Sequence, residues 1–132
     1  MGLNIGLAKK PNGAIIETEP SLCLEDDGYF AFIDEHIGDK FIKSDQRLDP
    51  YGDAMYVGTQ VKDLQKRIQS IHSDASRQPE EWSQKVGDQI YPERKEIRQT
   101  LERQILLDLL NIFLNVIDRS IETNLTIVCY GD

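Results

Sequence analysis

Leu125-Thr126-Ile127-Val128-Cys129-Tyr130 is rich in β-branched side chains and apolar on both faces of an extended chain. A strand with one wet face alternates polar and apolar residues, whereas one that is greasy on both faces needs cover on each side. The stretch therefore predicts a strand in the middle of a sheet, with other strands beside it and helices over it.

At the other end of the chain, Leu3, Ile5 and Leu7 alternate with Asn4, Gly6 and Ala8, the period of a strand with one buried face. Lys9-Lys10-Pro11-Asn12-Gly13 has turn chemistry, and Ala14-Ile15-Ile16-Glu17 resumes an extended pattern. Together they predict an N-terminal β-hairpin. Leu22-Cys23-Leu24 and a piece near residue 48 add two short strands.

Helices follow from wider spacings. Phe30, Ile33, Ile37 and Phe41 form a stripe that predicts a helix over 29–43, with Asp26 or Asp27 as its cap and Gly38 as a weak point. Val61, Leu64, Ile68 and Ile71 form a second stripe, with Thr59 placed to cap it and a loop over 73–78. Residues 79–87 read either as a first helical turn at Pro79-Glu80-Glu81 or as a strand alternating through Trp82, Gln84 and Val86.

A long helix is expected over 93–123, with Asn124 as its stop. In its second half Asp108, Asn111, Asn115, Asp118 and Glu122 leave one narrow wet stripe. In its first half Ile97, Leu101 and Ile105 make an apolar stripe on much of that same side. One straight helix on one sheet cannot bury both. Either it bends near 103–106, or its first half packs on something else. A homodimer through the Ile97/Leu101/Ile105 face is one such arrangement. The expected fold class is α+β: a single domain over 1–132, with a mixed sheet covered by about three helices.

The chain has 132 residues, with 15 Lys+Arg against 23 Asp+Glu and a net charge of -8. That length suits one core. The acidic balance argues against nucleic acid, whose phosphates call for a basic surface, and against an anionic membrane. No secretory signal or membrane-spanning run is evident. Cys23 and Cys129 are too few for a disulfide framework and read as two buried thiols, so the expected location is cytoplasmic.

Motifs for chemistry are sparse. The sequence has no P-loop, GxGxxG, GxSxG or HExxH, and it points to no catalytic residue and no cofactor. His36 and His72 read as surface side chains. An EF-hand centred on Gly28 puts Cys23, a poor calcium ligand, at its first position and fails.

The stretches MGLNIGLAKKPNG, CLEDDGY, LDPYGDA, QPEEW with its following KVG, and VCYGD, taken in order, resemble a family of small, largely uncharacterised bacterial proteins. The resemblance implies alternation from Trp82 to Gly87, although Ser83, Gln84 and Lys85 are polar for a strand. It implies no activity and no catalytic residue. In general type the chain is similar to immunity proteins of bacterial toxin systems.

Charge placement suggests where a partner would sit. Residues 1–57 carry 5 Lys+Arg and 11 Asp+Glu, whereas residues 58–132 carry 10 and 12. Glu25, Asp26, Asp27, Asp34, Glu35, Asp49 and Asp53, with Tyr51 in the Asp49-Pro50-Tyr51-Gly52-Asp53 turn, form the expected partner-binding set. The expected partner is a basic protein, steered by an acidic field. The alternatives are a divalent-metal domain or small metal-dependent enzyme built on the same carboxylates, and a homodimeric structural or regulatory module.

Overall fold

A computed structural model describes residues 2–37, 48–90 and 92–131. Among them, three helices and six strands alternate in an α+β fold. The order is β1 (Gly2–Ala8), β2 (Leu22–Glu25), α1 (Gly28–Ile37), β3 (Asp53–Tyr56), α2 (Thr59–Ser76), β4 (Glu81–Gln89), β5 (Lys95–Glu102), α3 (Arg103–Thr123) and β6 (Thr126–Gly131).

The main sheet has the order β2-β1-β6-β3, so the C-terminal strand is interior, as its two apolar faces require. Every described pairing is antiparallel; the sheet is not mixed. The register puts Leu3 beside Leu24, Ile5 between Leu22 and Cys129, and Ile127 between Leu7 and Tyr56. These side chains share one face and are buried with Val61, Leu64, Ile68 and Ile71 of α2 and Leu106, Leu110, Phe113 and Ile117 of α3.

The opposite face is covered by the chain itself. The residue 14–17 segment forms no strand; β1 takes β2 as its antiparallel neighbour instead. Residues 9–21 cross the outer face of the sheet, held by Ile16 N–H donating to Leu7 O (2.8 Å). Asn12 N–H points at Met55 Sδ (3.0 Å), and Tyr130 Oη donates to Gly13 O. Ile15 lies so close over Gly6 that a Cβ there would stand 2.5 Å from Ile15 Cγ2. Arg119 of α3 pins the same segment through Glu19 (2.7 Å), and this bond holds the Glu19 carboxyl below its ordinary range.

Helix ends are explained locally. Asp27 Oδ1 accepts from Tyr29 N–H and Phe30 N–H, so Asp27 is the α1 cap. Gly28 N–H donates to Gln99 Oε1 (2.8 Å), and Ala31 N–H to Asp27 O, which satisfies the first turn. The stretch 38–43 of the expected helix, with Gly38 and Phe41, lies outside the described residues. Thr59 is already helical in α2, preceded by Gly58 at φ 58°, and the helix runs past the expected loop start to Ser76. Asn124, in the left-handed region at φ 58°, stops α3.

The expected 93–123 helix is corrected. Its first part is β5, and α3 starts only at Arg103. Ile97, Gln99 and Leu101 have the strand period, while Ile97, Leu101 and Ile105 fit a helical stripe. What selects the strand is pairing with β4, where Trp82 sits opposite Leu101 and Gln84 opposite Gln99. The Ile97/Leu101/Ile105 helix face therefore does not exist: Leu101 is buried, and Ile97 and Ile105 belong to different elements. Residues 81–89 are a strand, and polar Gln84 is accommodated because its amide donates to Glu35 Oε1 (3.1 Å) and Lys85 O (3.2 Å).

The β4–β5 ribbon is anchored at its base on α1. Trp82 meets Phe32 edge-on with ring centres 5.6 Å apart, and Glu102 N–H donates to Tyr29 Oη (3.1 Å). From Lys85 to Arg98 no described residue is buried, so the rest of the ribbon projects as an arm.

Candidate functional site

The candidate site lies at one end of the main sheet. The register places Gly2, Glu25, Gly131 and Asp53 together at that end. The turn before β3 runs beneath the end of β6 toward β2. It is closed by Gly52 N–H donating to Asp49 O (3.1 Å) and Tyr51 N–H donating to Asp49 Oδ1 (2.9 Å), the self-bonding expected of an Asp-Pro turn.

Passage beneath β6 needs a residue without a side chain. Gly131 N–H donates to Gly52 O (2.9 Å) and also faces Asp53 Oδ1 (3.2 Å). A Cβ on Gly131 would lie 2.6 Å from Gly52 N, Gly52 O and Pro50 O, all backbone atoms. Having crossed, the turn delivers Tyr51 to the loop after β2, where its hydroxyl donates to Asp26 Oδ2 (2.6 Å). The carboxylate accepts from the neutral phenol and repels the phenolate, so the Tyr51 pKa is raised above its ordinary value. Tyr51 is 56% exposed, a large aromatic surface held in place by polar bonds.

Asp34, from the outer side of α1, and Asp49 line one shallow concavity of ≈ 240 Å³ with Phe30, Leu48 and Pro50. Asp26, Asp34, Asp49 and Tyr51 thus share one end of the molecule, with Asp53 beside them at the start of β3. The other expected site residues go elsewhere. Asp27 spends its carboxylate on the α1 cap. Glu35 turns to Gln84 under the ribbon. Glu25 sits at the edge of the outer sheet face, beside Cys23 (Sγ to Oε1 3.8 Å).

Among the described residues no group of three or more His, Cys, Asp or Glu side chains is arranged to hold a metal ion. Two larger concavities lie away from this end. One, of ≈ 490 Å³, lies between the start of α2 and the end of α3, lined in part by Val57, Lys62 and Ile121. The other, of ≈ 620 Å³, lies over the outer sheet face, lined in part by Asn4, Ile15, Cys23 and Tyr130. Neither gathers several titratable groups. Cys23 is exposed there, contrary to its expected burial, because its position in β2 faces outward; Cys129 is buried.

Phe30 was read only as part of the helical stripe and Pro50 and Gly52 only as turn-formers; Gly131 was not singled out by sequence. The available signal was a glycine ending a strand rich in β-branched residues, a position that marks a bulge, a bend or a close backbone approach. No helix of the described residues is long and apolar enough to cross a membrane. No family model matches this sequence, and no curated protein or solved structure is significantly similar to it.

Proposed function

We propose that this chain is a non-enzymatic cytoplasmic binding protein of the immunity type, which receives a basic protein on the surface formed by Asp26, Asp34, Asp49 and Tyr51. The observation that carries the reading is the Tyr51–Asp26 bond, which joins two acidic turns into one surface. An exposed aromatic side chain among carboxylates suits a partner rich in Lys and Arg. The carboxylates steer the encounter, and the ring supplies apolar and cation–π contact. Glu25, Asp27, Glu35 and Asp53 add to the field around it without making the central contact.

The reading is tested with decalysine as the cationic probe, by fluorescence anisotropy at low and high salt. Replacing Asp26 and Asp49 by Asn should weaken binding roughly tenfold, about 1.4 kcal/mol. The control pair Asp118→Asn and Glu122→Gln on α3 should have little effect. Equal losses from both pairs would mean diffuse charge and would refute a dedicated face.

A further inference from the structure

The end of the main sheet opposite the acidic surface holds a cavity of the reverse character. β3 leaves that surface at Asp53, runs beside β6 as far as Tyr56 opposite Ile127, and delivers Val57 and Gly58 to the start of α2. A cavity of ≈ 490 Å³ opens there between the start of α2 and the end of α3, within the size range of small-molecule sites. Val57 and Val61 form one apolar wall, and Ile121 and Leu125 form the other. Val57 is 45% exposed and Ile121 38%, so both keep apolar surface in water unless something fills the space between them.

The polar groups of the cavity favour an anion, in a chain whose net charge is -8. No Asp or Glu lines it, whereas Lys62 does, and among the described residues the Lys62 ammonium has no ion-pair partner. Thr59 lies three residues before Lys62 on the same side of α2, and its hydroxyl has no hydrogen-bond partner among the described residues. The first turn of α2 carries no acidic residue, so nothing there offsets the positive end of the helix dipole beside Lys62. The other wall is the carbonyl end of α3, which repels an anion. The two walls therefore orient a ligand, with its charged head on α2 and its hydrocarbon on Ile121 and Leu125.

We propose that this cavity binds a small amphipathic carboxylate, whose head meets Lys62 and Thr59 and whose aliphatic chain lies across Val57, Val61, Ile121 and Leu125. A neutral amphiphile leaves the Lys62 charge unmatched, and a cationic one is repelled by it. The site is separate from the Asp26–Tyr51 surface and does not rest on the reading given to that surface.

Calorimetric titration of the full chain with octanoate tests this, with octan-1-ol and octylammonium as matched neutral and cationic probes. Octanoate should bind saturably with a Kd below ~1 mM. It should bind more tightly than octan-1-ol by about threefold to fivefold, the strength of one exposed charge pair, and octylammonium should bind more weakly still. Hexanoate should bind roughly threefold or more below octanoate, because two methylenes leave the apolar walls. Lys62→Met should remove the preference for octanoate over octan-1-ol, and Ile121→Ser should weaken both. Both side chains are exposed, so the variants should fold, which circular dichroism verifies. Amide shifts on adding octanoate should centre on Val57, Thr59, Lys62 and Ile121. No saturable binding at ~5 mM octanoate would overturn the proposal. So would equal affinity for octan-1-ol, a Lys62→Met variant that keeps the preference, or shifts centred on the arm or on Ile105 and Ile112.

Discussion

Tyr51 Oη and Asp26 Oδ2 are 2.6 Å apart, yet they flank strands at opposite edges of the four-stranded sheet. Asp26 follows β2 and Tyr51 precedes β3. The bond exists because the turn carrying Tyr51 crosses the end of the sheet. Gly131 makes that crossing sterically possible, so the acidic surface depends on a residue that bears no charge.

Gly131→Ala should therefore disturb a site it does not touch. Its Cβ would meet backbone at 2.6 Å, and backbone cannot swing aside as a flexible side chain can. A loss of about 1–3 kcal/mol is expected, as for overpacking in a closed space. Urea denaturation measures it. Chemical shifts of Tyr51 and Asp26 should move together.

The Tyr51 hydroxyl should titrate late. Its pKa is raised in the folded state, so the stabilisation from the neutral phenol is fully present below the ordinary value of 10.0. It is lost as pH rises through the raised value. Ultraviolet titration, with Tyr51→Phe as the difference reference, isolates this phenol. Asp26→Ala should return its pKa toward the ordinary value; no movement would mean that the bond does not form in solution.

Leu101 should hold the arm to the body. It is fully buried, faces Trp82 across the ribbon, and lies against Gly28 of α1. Leu101→Ala should cost about 2–5 kcal/mol. Trp82 is the single tryptophan, so its emission reports the anchor directly and should shift to the red in the variant.

The two thiols should separate in reactivity. Burial pushes the Cys129 pKa well above the ordinary thiol value, with the Asp53 carboxylate adding to the shift, so almost no thiolate is available. Cys23 is exposed. A disulfide reagent added to the native protein should modify one thiol quickly, and the second only after denaturant is added. Two fast thiols would show that β6 opens readily.

Much of the fold was legible where one local pattern agreed with burial. The two apolar faces of 125–130 marked the interior strand, the alternation of Leu3, Ile5 and Leu7 marked β1, and Val61, Leu64, Ile68 and Ile71 marked α2. Asp27 was visible as a cap. The boundary between β5 and α3 was not legible, because Ile97, Leu101 and Ile105 suit a helix until a partner strand competes for them. The incompatible stripes on either side of residues 103–106 did signal a break. The 9–21 segment looked like half a hairpin, because Ile15 and Ile16 are strand-like, and only their packing over Gly6 explains them. Of the candidate site, the residue types were readable. Their division was not: Asp27 and Glu35 are claimed by internal bonds, while Asp26 and Tyr51 meet across 25 residues.

The proposed docking surface for a cationic protein is the one closed by the Asp26–Tyr51 bond. Amide chemical-shift mapping of the ¹⁵N-labelled chain against decalysine tests it most directly. The largest, salt-sensitive shifts should fall at Asp26, Asp34, Asp49 and Tyr51, with α2 and the outer side of α3 nearly still. Shifts spread evenly over all acidic residues, or centred on Asp118 and Glu122, would contradict it.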